Sequence, residues 1–253
     1  MSHFSLDHDI HVRSFPTGIT HLSLSSTSNN YVEGIAHPPH KIINHFDLHV
    51  FYLPRSLSHL TFGKMFNRPV NKLSYSLISL IFGEIFNQPV DNLPVSLQFL
   101  TFGDNFSQKV DFLPTSLTHL VFGRNFNESV DSLPSSLTHL TFGEKFNQLV
   151  DFLPRLLTHL IFHIEKGIFD HTIDNLPPSL THLILSHHFN KPINLYPTSL
   201  THLTLGDEFF QPLNNNLPTS LIYLTLGEKF NENLPTLPPK HGCKIIRKSD
   251  VFT

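Results

Sequence analysis

The sequence predicts a repeat solenoid: a parallel β-sheet on one face, extended or 3₁₀ segments on the other, and little α-helix. Three observations carry that expectation. The string "LPSSLTHLTFGEKFNQLVD" from Leu133 to Asp151 stands twenty residues earlier as "LPTSLTHLVFGRNFNESVD", and similar strings recur around Leu93 and Leu53. Within each copy the apolar residues follow L-x-x-L-x-L, whose last two members share one face of a strand. A proline stands in nearly every copy, which argues against a long helix on the return side.

Aligned on Leu-Pro, the units start at Leu53, Leu73, Leu93, Leu113, Leu133, Leu153, Leu176, Tyr196 and Leu217. "FPTGITHLSL" from Phe15 is a further copy, and "PPHKIINHFDL" from Pro38 reads as a worn one. In the unit at Leu113, Leu117, Leu120 and Phe122 point inward, while Thr118, His119 and Val121 face the other way. Gly123 follows, where a turn can use positive φ without a Cβ penalty. Phe126 and Val130 return to the interior. One unit of twenty residues buries too little apolar surface to stand alone, so stability requires neighbours that share a continuous core. The expected organisation is an N-terminal cap over 1–14, a solenoid of about ten repeats over 15–236, and a C-terminal cap over 237–253.

Composition bounds the function. The chain has 253 residues, a net charge of −3 and only 15% charged residues, so nothing points to nucleic acid or to an anionic membrane. A single cysteine, Cys243, gives no disulfide framework and suits a reducing compartment. No secretory signal or membrane-spanning run is written, and the expected location is intracellular and cytoplasmic.

The unit L-P-x-S-L-T-H-L-T-F-G-x-x-F-N-x-P-V resembles the FNIP repeat, a leucine-rich-repeat-like unit of social amoebae and giant viruses of amoebae. Its naming residues read "FNRPV" at Phe66, "FNQPV" at Phe86 and "FNKPI" at Phe189. The resemblance implies a leucine-rich-repeat-like solenoid and, for a viral member, the host cytoplasm. Members often carry an F-box ahead of the repeats, which implies a ubiquitin-ligase adaptor and ligase subunits as partners. No F-box is evident here, because about fourteen residues precede the first copy, so an adaptor would lack that domain or borrow it.

Stacking turns each recurring position into a column. Asn67, Asn87, Asn127, Asn147, Asn190 and Asn231 follow an inward Phe, where amides can satisfy backbone groups and each other. Asp91, Asp111, Asp131, Asp151 and Asp174 suit turn capping before Leu-Pro. The histidines His21, His59, His119, His139, His159, His182 and His202 occupy the outward side of their strands, stacked as a flat, half-polar lining. A straight column offers two neighbours at most, whereas zinc wants four convergent ligands, so no metal site is expected. Departures from the column are more informative. Ser79 and Phe99 replace histidine, Ile78, Ile81 and Gln98 replace the neighbouring residues, and Ile222 and Tyr223 do so near the end. Ile78, Ile81 and Phe99 form an apolar island that resembles an interface core. The unit at Leu153 replaces glycine with His163 and inserts three residues before Phe169 and Asp170 resume the pattern.

Ser, His and Asp are abundant, but each belongs to a repeated column, and catalysis needs one unique convergent site. The expectation is a non-enzyme without cofactors: a protein-interaction scaffold that uses its sheet face. Ile78, Ile81, Phe99, His119, His139, His159, His182, His202 and Tyr223 are its candidate partner-binding residues. The alternatives are the ligase adaptor and a pH- or metal-responsive binder built on the histidine column.

Overall fold

A computed structural model describes residues 3–6, 18–24, 53–213, 217–230 and 242–248. Each outward histidine or its replacement opens a short strand. In order these are β1 (His3–Leu6), β2 (His21–Leu24), β3 (His59–Phe62), β4 (Ser79–Ile81), β5 (Phe99–Thr101) and β6 (His119–Val121). They continue with β7 (His139–Thr141), β8 (His159–Ile161), β9 (His182–Ile184), β10 (His202–Thr204), β11 (Tyr223–Leu226) and β12 (Lys244–Arg247). The strands form one sheet in sequence order, β1 through β12. Pairing is parallel, and the register matches repeat to repeat, as in His119↔His139 and Leu120↔Leu140. The chain is thus a leucine-rich-repeat-like parallel solenoid. Among the described residues there is no α-helix, and none therefore long and apolar enough to cross a membrane. The return side is extended chain between turns.

Two β-turns shape every coil. The Pro114 carbonyl accepts the Leu117 amide at 3.1 Å, and the Gly103 carbonyl accepts the Phe106 amide at 3.3 Å. Proline suits the first turn because it brings no N–H that would need a partner. Leu117, Leu120, Phe122, Phe126 and Val130 are buried as their spacing requires. The phenylalanines form two interleaved stacks: Phe122 and Phe126 lie 3.7 Å apart within a coil, and Phe126 and Phe146 lie 6.2 Å apart between coils.

The role expected for glycine is corrected. Among the described residues the only positive-φ glycine is Gly18, so the repeated glycines are not there for left-handed backbone. They are required by close approach. A Cβ on Gly103 would stand 2.1 Å from the Gly83 carbonyl oxygen, and one on Gly123 2.3 Å from that of Gly103. At that corner successive coils touch backbone to backbone, and no side chain fits between them.

The inserted segment solves the same packing problem another way. His163 occupies the glycine position, and the chain loops until Gly167, whose amide reaches back to the His163 carbonyl at 2.9 Å. Ile168 then donates to the Glu144 carbonyl at 3.0 Å, which restores the coil-to-coil pattern. The following coil carries Ser186 in place of glycine. Its side chain is buried, and its Oγ donates to the Phe169 carbonyl at 2.6 Å. Gly167 makes room for it, since a Cβ there would lie 2.9 Å from Ser186 Cβ.

The asparagine ladder is real but takes only one of its two expected forms. Asn67 Oδ1 accepts the Asn87 amide at 2.9 Å, and Asn127 Oδ1 accepts the Asn147 amide at 2.8 Å. These side chains serve the next coil's backbone and not one another. Asp170 carries the ladder through the insertion, accepting the Asn190 amide at 2.9 Å. The acidic column makes polar contacts both between and within coils: Asp151 accepts from Asn175 Nδ2 of the next coil at 3.0 Å, and Asp131 accepts from Ser129 Oγ at 2.9 Å.

At the ends, β1 pairs with β2, and β2 pairs directly with β3. The worn copy from Pro38 and Asn231 lie outside the described residues, as do most positions of the two end segments. In β12 and just beyond it, Arg247 Nη1 donates to the Phe230 carbonyl at 3.1 Å, and Lys248 Nζ pairs with Asp207 at 2.6 Å.

The sheet face is not flat. Ring spacing grows from 4.1 Å between His119 and His139, through 5.7 Å between Phe122 and Phe142, to 6.2 Å between Phe126 and Phe146. Equal numbers of coils therefore span less length on the sheet side than behind it, and the sheet lines the concave face.

Candidate functional site: a stacked imidazole ribbon on the concave face

Each coil contributes three residues to the concave face, and the central strand residue between two of them is buried. From β6 to β10 the outward pairs are His119 with Val121, His139 with Thr141, His159 with Ile161, His182 with Ile184, and His202 with Thr204. A threonine precedes every one of these histidines. From residue 58 to residue 225, the outward strand positions of the described coils carry no Lys, Arg, Asp or Glu.

The five imidazoles stack face to face. Centroid separations are 4.1 Å for His119–His139, 4.2 Å for His139–His159, 4.2 Å for His159–His182 and 4.1 Å for His182–His202. Phe99 closes one end against His119 at 4.6 Å, tilted by 31°, and Tyr223 closes the other against His202 at 4.9 Å. Two of the three residues that read in sequence as exceptions to the histidine column, Phe99 and Tyr223, are the terminal rings of one stack. His21 and His59 form a separate stacked pair at 4.2 Å, cut off from the longer run by Ser79.

Threonine fixes the rings. Thr138 Oγ1 lies 3.1 Å from the Thr118 carbonyl oxygen and 2.9 Å from His139 Nδ1. The pattern repeats at Thr158, Thr181 and Thr201, with 3.0 Å to the carbonyl and 2.8–2.9 Å to the ring. A hydroxyl has one proton, so both contacts are hydrogen bonds only when Oγ1–H donates to the carbonyl and Nδ1–H donates to Oγ1. The opposite assignment would set two oxygen lone pairs against each other. This arrangement places a proton on Nδ1 of each ring, and in the neutral imidazole Nε2, the nitrogen farther from the backbone, then keeps its lone pair.

Packing reinforces neutrality. Burial is the first cause that lowers the pKa of His59, His119, His139, His159 and His182. Repulsion from neighbouring imidazoles adds to it for all of these except His139. In the middle of the run, His159 is pushed down to about 4. Loss of solvent around the stacked rings is thus a larger effect than repulsion between like charges.

Of the apolar island, Ile81 and Phe99 are exposed, 40% and 41%, whereas Ile78 is half-buried beside β3, with its amide on the Ser58 carbonyl at 2.7 Å. Ser79 faces Phe99 across the β4–β5 pair, and Ile81 faces Thr101. The structure thus joins Phe99, the five histidines and Tyr223 into one ribbon, with Ile81 at its edge and Ile78 half withdrawn. Sequence reasoning missed Thr138 and its column mates as the groups that set the tautomer. Their recurrence before each of the five histidines from His119 to His202 was the available signal. Among the described residues no cluster of three or more His, Cys, Asp or Glu side chains could hold a metal ion.

Comparison with known proteins agrees with this geometry. The FNIP repeat family model matches residues 86–125, 109–145, 129–164 and 194–229. Among solved structures, the chain is similar to CroV588, a circular leucine-rich-repeat protein of a giant virus, at 48% identity and a TM-score of 0.67. That match covers 72% of this chain and 29% of CroV588, so this chain corresponds to a minor part of that protein's length. YopM from Yersinia enterocolitica matches at 18% identity over 77% of this chain and 65% of its own, with a TM-score of 0.31. A leucine-rich repeat protein from Bacteroides ovatus matches at 13% identity over 77% and 58%, with a TM-score of 0.27. No curated protein sequence matches the chain significantly.

Proposed function

Since the chain is an FNIP repeat-containing protein, we propose that it is a non-enzymatic protein-interaction scaffold whose concave face takes the partner. One observation carries this reading: an uncharged ribbon of seven stacked rings, Phe99 to Tyr223, runs across six consecutive strand pairs. Ring stacking and the threonine hydrogen bonds hold these side chains in one conformation, so little side-chain entropy is lost when a partner docks. The face offers Nε2 acceptors along its length and apolar surface at Ile81 and Phe99. A buried anchor inside a polar frame is the usual anatomy of a protein interface. Repetition of the ribbon's histidines and threonines from coil to coil supports the non-enzymatic reading, because the concave face presents the same groups in every coil and no unique convergent set among them.

The test is affinity capture from the cells that make the protein, with identification of what binds. Wild type is compared with a variant carrying Ile81→Thr and Phe99→His, which restores the repeat's own polar residues. Bound proteins should be lost with the variant while its melting temperature stays near wild type. Equal capture by both would leave the island without a role in binding.

A pH-responsive use of the ribbon is a second reading, favoured by the lowered histidine pKa values. It would operate only well below neutrality, where His159 titrates. A ligase-adaptor role requires ligase subunits to appear among the captured proteins.

A further inference from the structure

Away from the concave face, the coil that runs from Leu149 to Leu156 breaks its own repeat at three places. Leu149 stands where Pro69, Pro89 and Pro192 stand in other coils, Phe152 where Asn92, Ser132 and Asn175 stand, and Leu156 where the other units from Leu53 to Leu217 have serine. All three are strongly exposed: 55%, 73% and 60%. Two coils earlier Phe112 is 71% exposed, and two coils later Leu195 is 61% exposed. These values exceed those of Ile81 and Phe99 on the concave face.

Leu156 replaces a residue with a structural task. Ser116, Ser136, Ser179 and Ser220 each donate a hydroxyl to a carbonyl of the preceding coil at 2.7 Å, the acceptors being Leu97, Leu117, Leu157 and Leu200. A leucine cannot make that bond, and it puts apolar surface into water instead. Substitutions that break a local rule with no internal gain mark places where something outside the chain supplies the gain.

Charge narrows what that something is. Asp111, Asp131, Asp151 and Asp174 run beside these apolar residues, one per coil, and among the described residues none forms an ion pair. Lys109 and Arg155 are the cations among them, so the four aspartates leave the edge net acidic. The buried Phe106, Phe126 and Phe146 rings are 6.1–6.2 Å apart from coil to coil, and at that spacing Phe112 and Phe152, two coils apart, would stand about 12 Å apart along the rod. Side chains seven or eight residues apart on a helix are spaced by about 10.5–12 Å. We propose that this outer edge is a second docking surface, separate from the concave face, and that it takes a basic amphipathic helix. The helix lays apolar residues on Phe112, Phe152 and Leu156 and its lysines or arginines along the aspartates. A second copy of the chain is a poor occupant, because it would bring two acidic rails together, and an anionic membrane would be repelled for the same reason.

The probe is a synthetic helical peptide of about five turns with leucines on one face and lysines flanking them. A scrambled peptide of equal composition serves as control, and binding is read by fluorescence anisotropy. The helical peptide should bind wild type, weaken with added salt, and lose at least about tenfold in affinity to the Phe152→Ser, Leu156→Ser variant, a loss of about 1.4 kcal/mol. That variant carries residues the repeat already uses at these positions and regains the serine bond, so its melting temperature should be no lower than wild type. Ile81→Thr with Phe99→His should leave peptide binding unchanged, which separates this surface from the concave one. The proposal is overturned if the wild type does not bind the peptide, if the scrambled peptide binds equally well, or if the serine variant binds undiminished. Sedimentation showing a wild-type dimer that the serine variant abolishes would assign the edge to self-association and also overturn it.

Discussion

Replacing Gly103 with alanine tests why the column of glycines exists. If these glycines served only backbone freedom at ordinary negative φ, alanine would stabilise the fold by about 0.4–1 kcal/mol, through a smaller unfolded-state entropy. The structure reverses that sign. The added Cβ would lie 2.1 Å from the Gly83 oxygen, 2.4 Å from its carbonyl carbon and 2.8 Å from Glu84 Cα, all of them backbone atoms that cannot swing aside. Reaching an ordinary contact of about 3.4 Å requires the two coils to part by about 1.3 Å at this corner. The Asn105 amide to Glu84 carbonyl bond, now 2.8 Å, would then exceed hydrogen-bonding length. Overpacking costs about 1–3 kcal/mol and the lost bond about 0.5–1.5, less the entropic gain, which leaves a net loss of about 2–3 kcal/mol. Urea unfolding followed by circular dichroism measures it, with Gly242→Ala as control, since a Cβ there meets nothing within 4 Å. The control should stay within about 0.5 kcal/mol of wild type. An equal or higher urea midpoint for Gly103→Ala would refute the close-approach explanation.

Four further outcomes are expected. A far-UV spectrum of the whole chain should lack dominant helical minima, because the described coils are strand and turn. Phe126→Ala should cost about 3–5 kcal/mol in urea unfolding, since Phe126 is fully buried between two stacked neighbours and its removal leaves a cavity in both stacks. Asn147→Ala should cost about 1–3 kcal/mol, because the Asp170 amide loses its acceptor at 3.1 Å. Acid should destabilise the wild type before its carboxylates protonate. The lowered histidine pKa values mean that the unfolded chain binds more protons than the native one below its ordinary histidine value of about 6.5, so stability is full above that pH. It should fall progressively toward pH 4, where His159 titrates. Urea unfolding at pH 7.5 and 5.5 checks this, using a variant with His119, His139, His159, His182 and His202 changed to Gln. Equal losses in both proteins would show that the ribbon does not set the acid response.

By itself the sequence determined the coil. A twenty-residue period, the L-x-x-L-x-L spacing and the recurring Phe and Pro dictate which side chains are inside, because any single unit must bury that stripe and can do so only against copies of itself. Leu120, Phe122 and Phe126 lie where the pattern puts them, and the outward position of His119 follows from strand alternation. The register was legible too, since identical neighbours align without ambiguity. What only the tertiary structure decided are relations between coils, which no single unit encodes. Coil separation is smaller at the imidazoles than at the phenylalanines, so the face curves and Phe99 and Tyr223 join the histidines in one stack. Glycine's task emerged as contact with the previous coil's carbonyl, a distance set by stacking and not by local φ. The proton position on each imidazole depends on a threonine hydroxyl held by the carbonyl of the coil before it. Exposure of Phe152 and Leu156 likewise depends on which corner of the coil the described residues leave uncovered once the stack has formed, since stacking covers a coil only along the solenoid axis.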